Sequence, residues 1–420
     1  MIGLTLLHRI KEDILGGKAV VVVLVTLILM CASTALTLGE LQRRQRMYEA
    51  EVVRQHDIAT ITQDPDIGPM LRRPELLSVL VHGVDAGVYK GKSVSGVKVE
   101  RAPPGAYDNP LLALFPTPDL GFVVQYILSL FALMMAFDVA AGPKERRTLS
   151  LIFSNPVSRV GFFLGQCLGS YVLLALAFLL GLLGSVAILV VSGAGTLSAG
   201  VLVRIAGIAF VALLYLAVFF MVGAMISAST ASSSRAFIAS LLTWAVLVLV
   251  LSQSMMLLAG HLRRVPSIEV VTAEMNAARN QILGKEGAFM TEWPKANAAT
   301  EAVEARYARE VAAQERLMKV ATRSSPAGSF VLATAALSGT SSDDAEAYLS
   351  EIRGYLSRLR QFVYVDARHD PKAERPVYFS HRPSLGETLA HAAPDAVLLI
   401  LWLGAFGFVA LRRFLHYDLR

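Results

Sequence analysis

Long apolar runs alternate with polar stretches along the chain, and two of those polar stretches are large. Residues 1–18 place Ile2, Leu6 and Ile10 on one helical face, with Leu7 and Ile14 close by. Arg9, Lys11, Glu12 and Asp13 lie largely elsewhere, so the pattern predicts a short amphipathic helix in a membrane interface. The apolar run 19–38 is about 20 residues, enough to cross a hydrocarbon core. It exceeds the apolar region of a signal peptide, about 7–15 residues, and Met30 before Cys31 is not the small residue of a lipoprotein cleavage site. It is read as an uncleaved first span. Further spans are predicted at 121–140, 160–191, 201–226, 236–260 and 394–413. The run 160–191 is too long for one untilted crossing and too short for two, which predicts a single long or bent helix. The last run is short, which puts Pro394 and the snorkelling Arg412 and Arg413 at its interfaces.

The larger polar stretches are 39–120 and 261–393. Glu40–Gln63 is charged and free of Gly and Pro, so the first span is expected to continue as a helical stalk. Between Leu76 and Arg101, Val79, Val81, Val84, Val88, Val94, Val97 and Val99 are punctuated by glycines and predict short strands. Ala102-Pro103-Pro104-Gly105 and Pro110, Pro116 and Pro118 are loop signals. In the second region, Ala273–Gln281 and Ala299–Ala321 predict a pair of long helices, separated by Gly284, Gly287 and Pro294. Ser325-Pro326-Ala327-Gly328 interrupts them. Asp343–Phe362 then predicts a helix with Tyr348, Ile352, Tyr355 and Leu359 on one face. The expected fold is an all-α polytopic membrane protein with six transmembrane helices. A mixed α/β, mainly helical extracytoplasmic domain, built from the two insertions, completes it.

Composition supports the membrane class: 54% of residues are hydrophobic and only 17% charged, so much of the surface must face something other than water. A formal net charge of +6 is too small to argue for nucleic acid. Its distribution is more telling. Arg9, Lys11, Lys18, Lys144, Arg146, Arg147, Arg159, Arg235, Arg412 and Arg413 fall on one side if the chain crosses six times, and the short loop 192–200 opposite has no Lys or Arg. The positive-inside rule then places both termini and residues 141–159 in the cytoplasm, and both insertions outside.

Candidates for chemistry are few. Cys31 and Cys167 lie within apolar runs without ligand partners nearby. His369, His381 and His391, with Asp366 and Asp370, match no compact metal-ligand spacing. Ser232-Ser233-Ser234 lacks the His/Asp context of a nucleophile. No G-x-x-x-x-G-K-[ST] pattern occurs, so an ATP-driven process would need another chain to bind the nucleotide.

The most informative stretch is Asp138–Gly169. Ala141-Gly142-Pro143 ends the preceding helix, and Pro143 suits the first turn of a new one. Leu149, Ile152 and Phe153 form an apolar stripe, and Asn155-Pro156 resembles a helix cap with a first-turn proline. Lys144, Arg146 and Arg147 crowd a helix N-terminus, where each exposed cation costs roughly 0.3–1 kcal/mol. Glu145 alone suits that end. The cations are expected to face anionic headgroups or an acidic partner, or merely to fix topology. Gly161, Gly165 and Gly169 recur at every fourth position, which permits close helix packing.

Glu145, Thr148, Leu149, Pro156, Val157, Ser158 and Arg159, followed by Leu164 and Gly165, resemble the signature of type-2 ABC permeases. These are membrane subunits of ATP-driven exporters, with relatives in gliding motility and in nitrous-oxide reductase maturation. The SPAGS and LSGT sequences and the Tyr- and Leu-rich helix after them resemble a subgroup with a large extracytoplasmic insertion. The resemblance implies that 141–159 is a cytoplasmic coupling helix docking in a cleft of a separate ABC ATPase subunit. The residues it implies for that contact are Glu145, Arg146, Arg147, Thr148, Leu149, Ile152, Phe153, Asn155, Pro156 and Arg159. One departure is Arg147, where the family commonly has glycine. The resemblance further implies no catalytic residue or cofactor on this chain, with ATP and Mg on the partner. A second copy of this or a related permease, membrane lipids and an extracytoplasmic protein are the other expected partners, in a bacterial inner membrane.

Two other classes compete. An ion-coupled transporter would carry ionisable residues near the bilayer midplane, whereas Lys18, Asp138, Arg204 and Asp395 are all expected at span edges. A membrane scaffold or maturation factor with a large outer interaction domain is the alternative. Uncharged span interiors suit a lipid-like or apolar cargo, or a mechanical output to the outer domain.

Overall fold

In the computed structural model, residues 2–61, 73–83, 92–95, 98–101, 118–154, 156–283, 288–362 and 383–417 are described. They are overwhelmingly helical. Six helices are long and apolar enough to cross a membrane: Lys18–Ala50, Leu120–Glu145, Arg159–Val191, Ala199–Ser229, Ser233–Val250 and Leu385–Leu415. The chain divides into two units, Met1–Trp244 with Ser329–Arg420, and Ala245–Gly328.

In the first unit, α1 (Ile2–Leu15) turns at Gly17 (φ +73°) into α2 (Lys18–Ile61). With no glycine or proline after Gly39, α2 runs on for 44 residues and joins the first apolar run to the charged stretch beyond it. Beside α2, Leu76–Val79 forms a single 3-10 turn, and Val79 packs with Leu41 and Leu189. Thr37 donates to the Val79 carbonyl. Here the structure departs from the expected strands. Among the described residues, strand is confined to β1 (Lys92–Ser95) and β2 (Lys98–Arg101), an antiparallel pair with Val94 opposite Val99. Among the described residues this single two-stranded hairpin does not support the expected mixed α/β outer domain. Val79 and Val81 are instead drawn against the helices by burial. Val84, Val88 and Val97 lie outside the described residues.

His82 follows this turn and ties three elements together. Its backbone N–H donates to Asp119, whose other oxygen caps the next helix by accepting from the Phe122 N–H. Arg44 lies 2.8 Å from Nε2, and Nδ1 faces the Ser78 carbonyl, which selects the neutral ring with its proton on Nδ1. Burial, then Arg44, pushes the His82 pKa below its ordinary value. A depressed histidine pKa contributes stability that is complete above the unfolded-state value and is lost as pH falls through the folded one. Stability should therefore fall with acidification just below the ordinary histidine range, and His82→Gln should remove that dependence. Asp119, held by burial above the usual carboxylate range, acts in the opposite sense, so the difference between the two pH–melting curves is the measurement.

Helix α3 opens as Leu120–Phe122, widens into a π-turn over Val123–Leu128 and resumes as Ser129–Ala136. In the wide turn the Ser129 N–H reaches back to the Val124 carbonyl. The Gln125 carbonyl is then satisfied by two hydroxyls, from Ser129 (2.5 Å) and Tyr215 (2.9 Å). Trp244 donates through Nε1 to Ser129 Oγ at 2.9 Å, completing a polar chain across three helices.

After the 141–159 connection, with its short helices α4 (Ala141–Glu145) and α5 (Thr148–Phe153), come α6 (Arg159–Val191) and α7 (Ala199–Ser229). The run 160–191 is thus one helix. Next is α8 (Ser233–Trp244), continued by a π-turn Ala245–Val250 and by Leu251–Leu262. The SPAGS sequence falls at the expected interruption, after a helix that ends at Thr322, and starts the next: Ser325 Oγ accepts from the Gly328 N–H, and Pro326 opens α11 (Pro326–Ser338). Phe330 of α11 stacks on Tyr215 at 4.5 Å, and Leu337 fills the space opened by Gly207. Part of the expected second insertion therefore packs along α7.

Helix α12 (Ser342–Gln361) buries Tyr348, Ile352 and Tyr355. The last helix, α13 (Leu385–Leu415), starts at a Ser384/Glu387 capping box. The helix starts nine residues before Pro394, which lies inside it, and Asp395 is buried.

In the second unit, α9 (Ile268–Leu283) and α10 (Ala288–Thr322) pair as the two long helices expected there. Arg306 bonds Glu274 across them, and Gln314 donates to the Arg263 carbonyl. Val271 and Ala296 are buried.

Candidate functional site

The connection 141–159 departs from a simple loop because it is held on three sides. Helix α4 ends at Glu145, and α5 begins after Arg147, whose φ of +53° makes it the one non-glycine in the left-handed region among the described residues. This is the position where the resembled signature has glycine. A left-handed L-residue costs roughly 1–2 kcal/mol, partly offset by the extra unfolded-state freedom of glycine. Arg147→Gly should therefore raise stability by about 1 kcal/mol and Arg147→Val should lower it, read as melting temperatures in detergent.

The first side is α7. Ser227 Oγ accepts from the N–H groups of Ala140 and Ala141 at 3.0 and 2.9 Å. Lys144, only 7% exposed, donates to the carbonyls of Ser227, Ala228 and Thr230. Those carbonyls belong to the end of α7, where no backbone donor remains and the helix dipole favours a cation. Glu145, one residue on, accepts from the Ser233 N–H at the start of α8. Lys144 and Glu145 thus cap the two helix ends that flank the 230–232 turn.

The second hold, from α1, is on the residues that flank the connection, Asp138 before it and Ser170 after it. Arg9 donates to Asp138 at 2.6 Å and to Ser170 at 2.7 Å, and pairs with Asp13 at 3.2 Å. Ser170 in turn donates to Asp13, and Lys18 holds the other Asp138 oxygen at 2.6 Å. Burial works against the Arg9 charge, but Asp138 and Asp13 outweigh it and raise its pKa. α1 comes this close because position 169 is glycine: a Cβ there would lie 2.9 Å from Arg9 Cβ. Gly161 and Gly165 are buried on the same helix. The outward face of α1 carries exposed Leu4, Leu7 and Leu15.

The third side is the end of α13. The stripe Leu149–Ile152–Phe153 exists, but it faces inward. Leu149 is 3% exposed, and Phe153 sits edge-on to Phe162 and Phe414. Phe414 also stacks on Phe163 at 4.9 Å. Arg159 donates to the Leu415 and Tyr417 carbonyls, and the Lys144 ammonium lies 4.3 Å from the centre of the Tyr417 ring. The face left open carries Arg146, Arg147, Ser150 and Leu151, the last 70% exposed. Thr148 donates back to the Pro143 carbonyl. Asn155 lies outside the described residues, Pro156 is exposed, and Ser158 caps α6 by accepting from the Gly161 N–H. His391 lies exposed on α13; Asp366, His369, Asp370 and His381 lie outside the described residues.

A family model described as ABC-2 family transporter protein matches residues 14–419. The chain belongs to the ABC-2 transporter family. As an ABC-2 permease it is the membrane subunit of a transporter and a multi-pass membrane protein, and permeases of this family usually work with an ABC ATPase subunit. Comparison with curated proteins gives no match. Of the residues that position the 141–159 connection in this ABC-2 permease, Ser227, Phe414 and Tyr417 carry no signal in the sequence, because each acts through a contact distant along the chain.

Proposed function

We propose that this permease is half of an ATP-driven exporter and that a separate ATPase docks on the open face of α5, with Leu151 at the centre of the contact. The exposure of Leu151 carries the reading: it is a large apolar side chain, flanked by Arg146 and Arg147, on a short helix that projects from the ends of two membrane helices. Leu149 and Phe153 support the helix from behind, and the cations form the rim. In this reading both termini are cytoplasmic, the membrane is a bacterial inner membrane, and two copies pair to enclose a path for a lipid-like or apolar cargo.

An unpaired charge in a desolvated contact costs several kcal/mol, about 3 here. Leu151→Asp should therefore reduce ATPase co-purification by about a hundredfold while the permease inserts normally. Arg146→Ala should do far less, since rim charges act mainly on association rate and salt dependence. If α5 only rests on lipid, Leu151→Asp will leave co-purification intact, and that result would sink the docking model.

A further inference from the structure

The inward face of the 141–159 connection is occupied by the end of α13, although α13 is the membrane helix farthest from it in sequence. Phe414 is buried among Phe153, Phe162 and Phe163. Three residues on, Tyr417 places its ring against Lys144 of α4 and its carbonyl against Arg159 at the start of α6. Both short helices of the connection and the first turn of α6 therefore rest on one four-residue stretch. Side chains in direct contact pass a displacement on rather than absorbing it. The obvious route for a push on α5 is through its covalent neighbours α3 and α6, and the contacts add a route that the chain order does not contain.

The geometry points to Phe414 and Tyr417 as positioning residues: they form a strut that carries movement of the 141–159 connection into α13, so that the last membrane helix moves with the third. This rests on the ATP-coupled reading above. Phe414 supplies the packing. Tyr417 supplies a cation–π contact, which a phenyl ring preserves and an aliphatic side chain does not.

The test uses the permease assembled with its ATPase in proteoliposomes, with Cys31 and Cys167 replaced by alanine. A single cysteine reports from the far end of α6 (Val191→Cys, 88% exposed in the parent) or of α13 (Leu389→Cys, 41% exposed). Labelling by an impermeant maleimide is compared with and without ATP plus vanadate. Both reporters should respond in the parent. Tyr417→Leu should cut the nucleotide response of the α13 reporter by about fivefold while the α6 reporter still responds, and Tyr417→Phe should restore it. Arg159→Gln, which removes the bonds to the Leu415 and Tyr417 carbonyls, should act like Tyr417→Leu and serves if that variant inserts poorly. An α13 response unchanged in both variants, or absent in the parent while α6 responds, overturns the strut alone. Silence of both reporters in the parent overturns the ATP-coupled reading and the strut with it.

Discussion

Lys144→Glu should be the most damaging single change in the 141–159 connection, with a loss of about 3–5 kcal/mol of stability. The native ammonium is buried and donates to the last free carbonyls of α7, an end that carries partial negative charge. A carboxylate there faces acceptors it cannot pair with and leaves them without a donor. Lys144→Met separates the two effects. It keeps the apolar stem beside Tyr417 but removes the donor, so about 1–3 kcal/mol should be lost. Melting of the purified permease in detergent measures both. Equal melting temperatures for the parent and the methionine variant would show that water satisfies those carbonyls as well as Lys144 does.

Asp138→Ala should cost about 3 kcal/mol, because it takes from the buried Arg9 its shortest ion pair and leaves it Asp13, Ser170 and the more distant Glu12. Arg9→Met should cost a similar amount by stranding Asp13 and, in part, Asp138. The double variant should cost less than the sum by about 1–3 kcal/mol, since the two side chains share one bond. Strict additivity in that cycle would mean that α1 and the end of α3 are held independently. Lys18 tempers the effect on Asp138, being half exposed and able to follow the carboxylate into solvent.

Much of the architecture was legible because it rests on local or lengthwise signals. Run length gave the spans, and the charge-rich, breaker-free Glu40–Gln63 was legible as helix for the same reason that its described part, to Ile61, continues α2. What failed did so where two distant elements decide the outcome. The valines of 79–99 have strand propensity, but Val79 finds Leu41 and Leu189 instead of a neighbouring strand. Pro394 reads as a boundary, yet the capping box at Ser384 and Glu387 starts α13 one segment earlier. The candidate site divides in the same way. The Leu149–Phe153 stripe was visible as a stripe, but periodicity does not say what it packs against. The answer depends on Phe414, more than 250 residues away. Lys144 and Arg146 look alike in sequence, and only the position of the α7 carbonyls makes one a buried cap and the other a surface cation.

The π-turn in α3 bears on how relatives of this chain should be aligned. A wide turn holds one residue more than an α-helix needs for the same path. Deleting any one residue from Val123–Leu128 would return the Gln125 carbonyl to ordinary backbone pairing and leave the Tyr215 hydroxyl without its acceptor. The rest of the helix would keep its register, so Asp138 would stay opposite Arg9. A homologue one residue shorter between its counterparts of Asp119 and Asp138 is therefore expected to differ at two distant places together: a non-hydroxyl residue at 215 and no indole at 244.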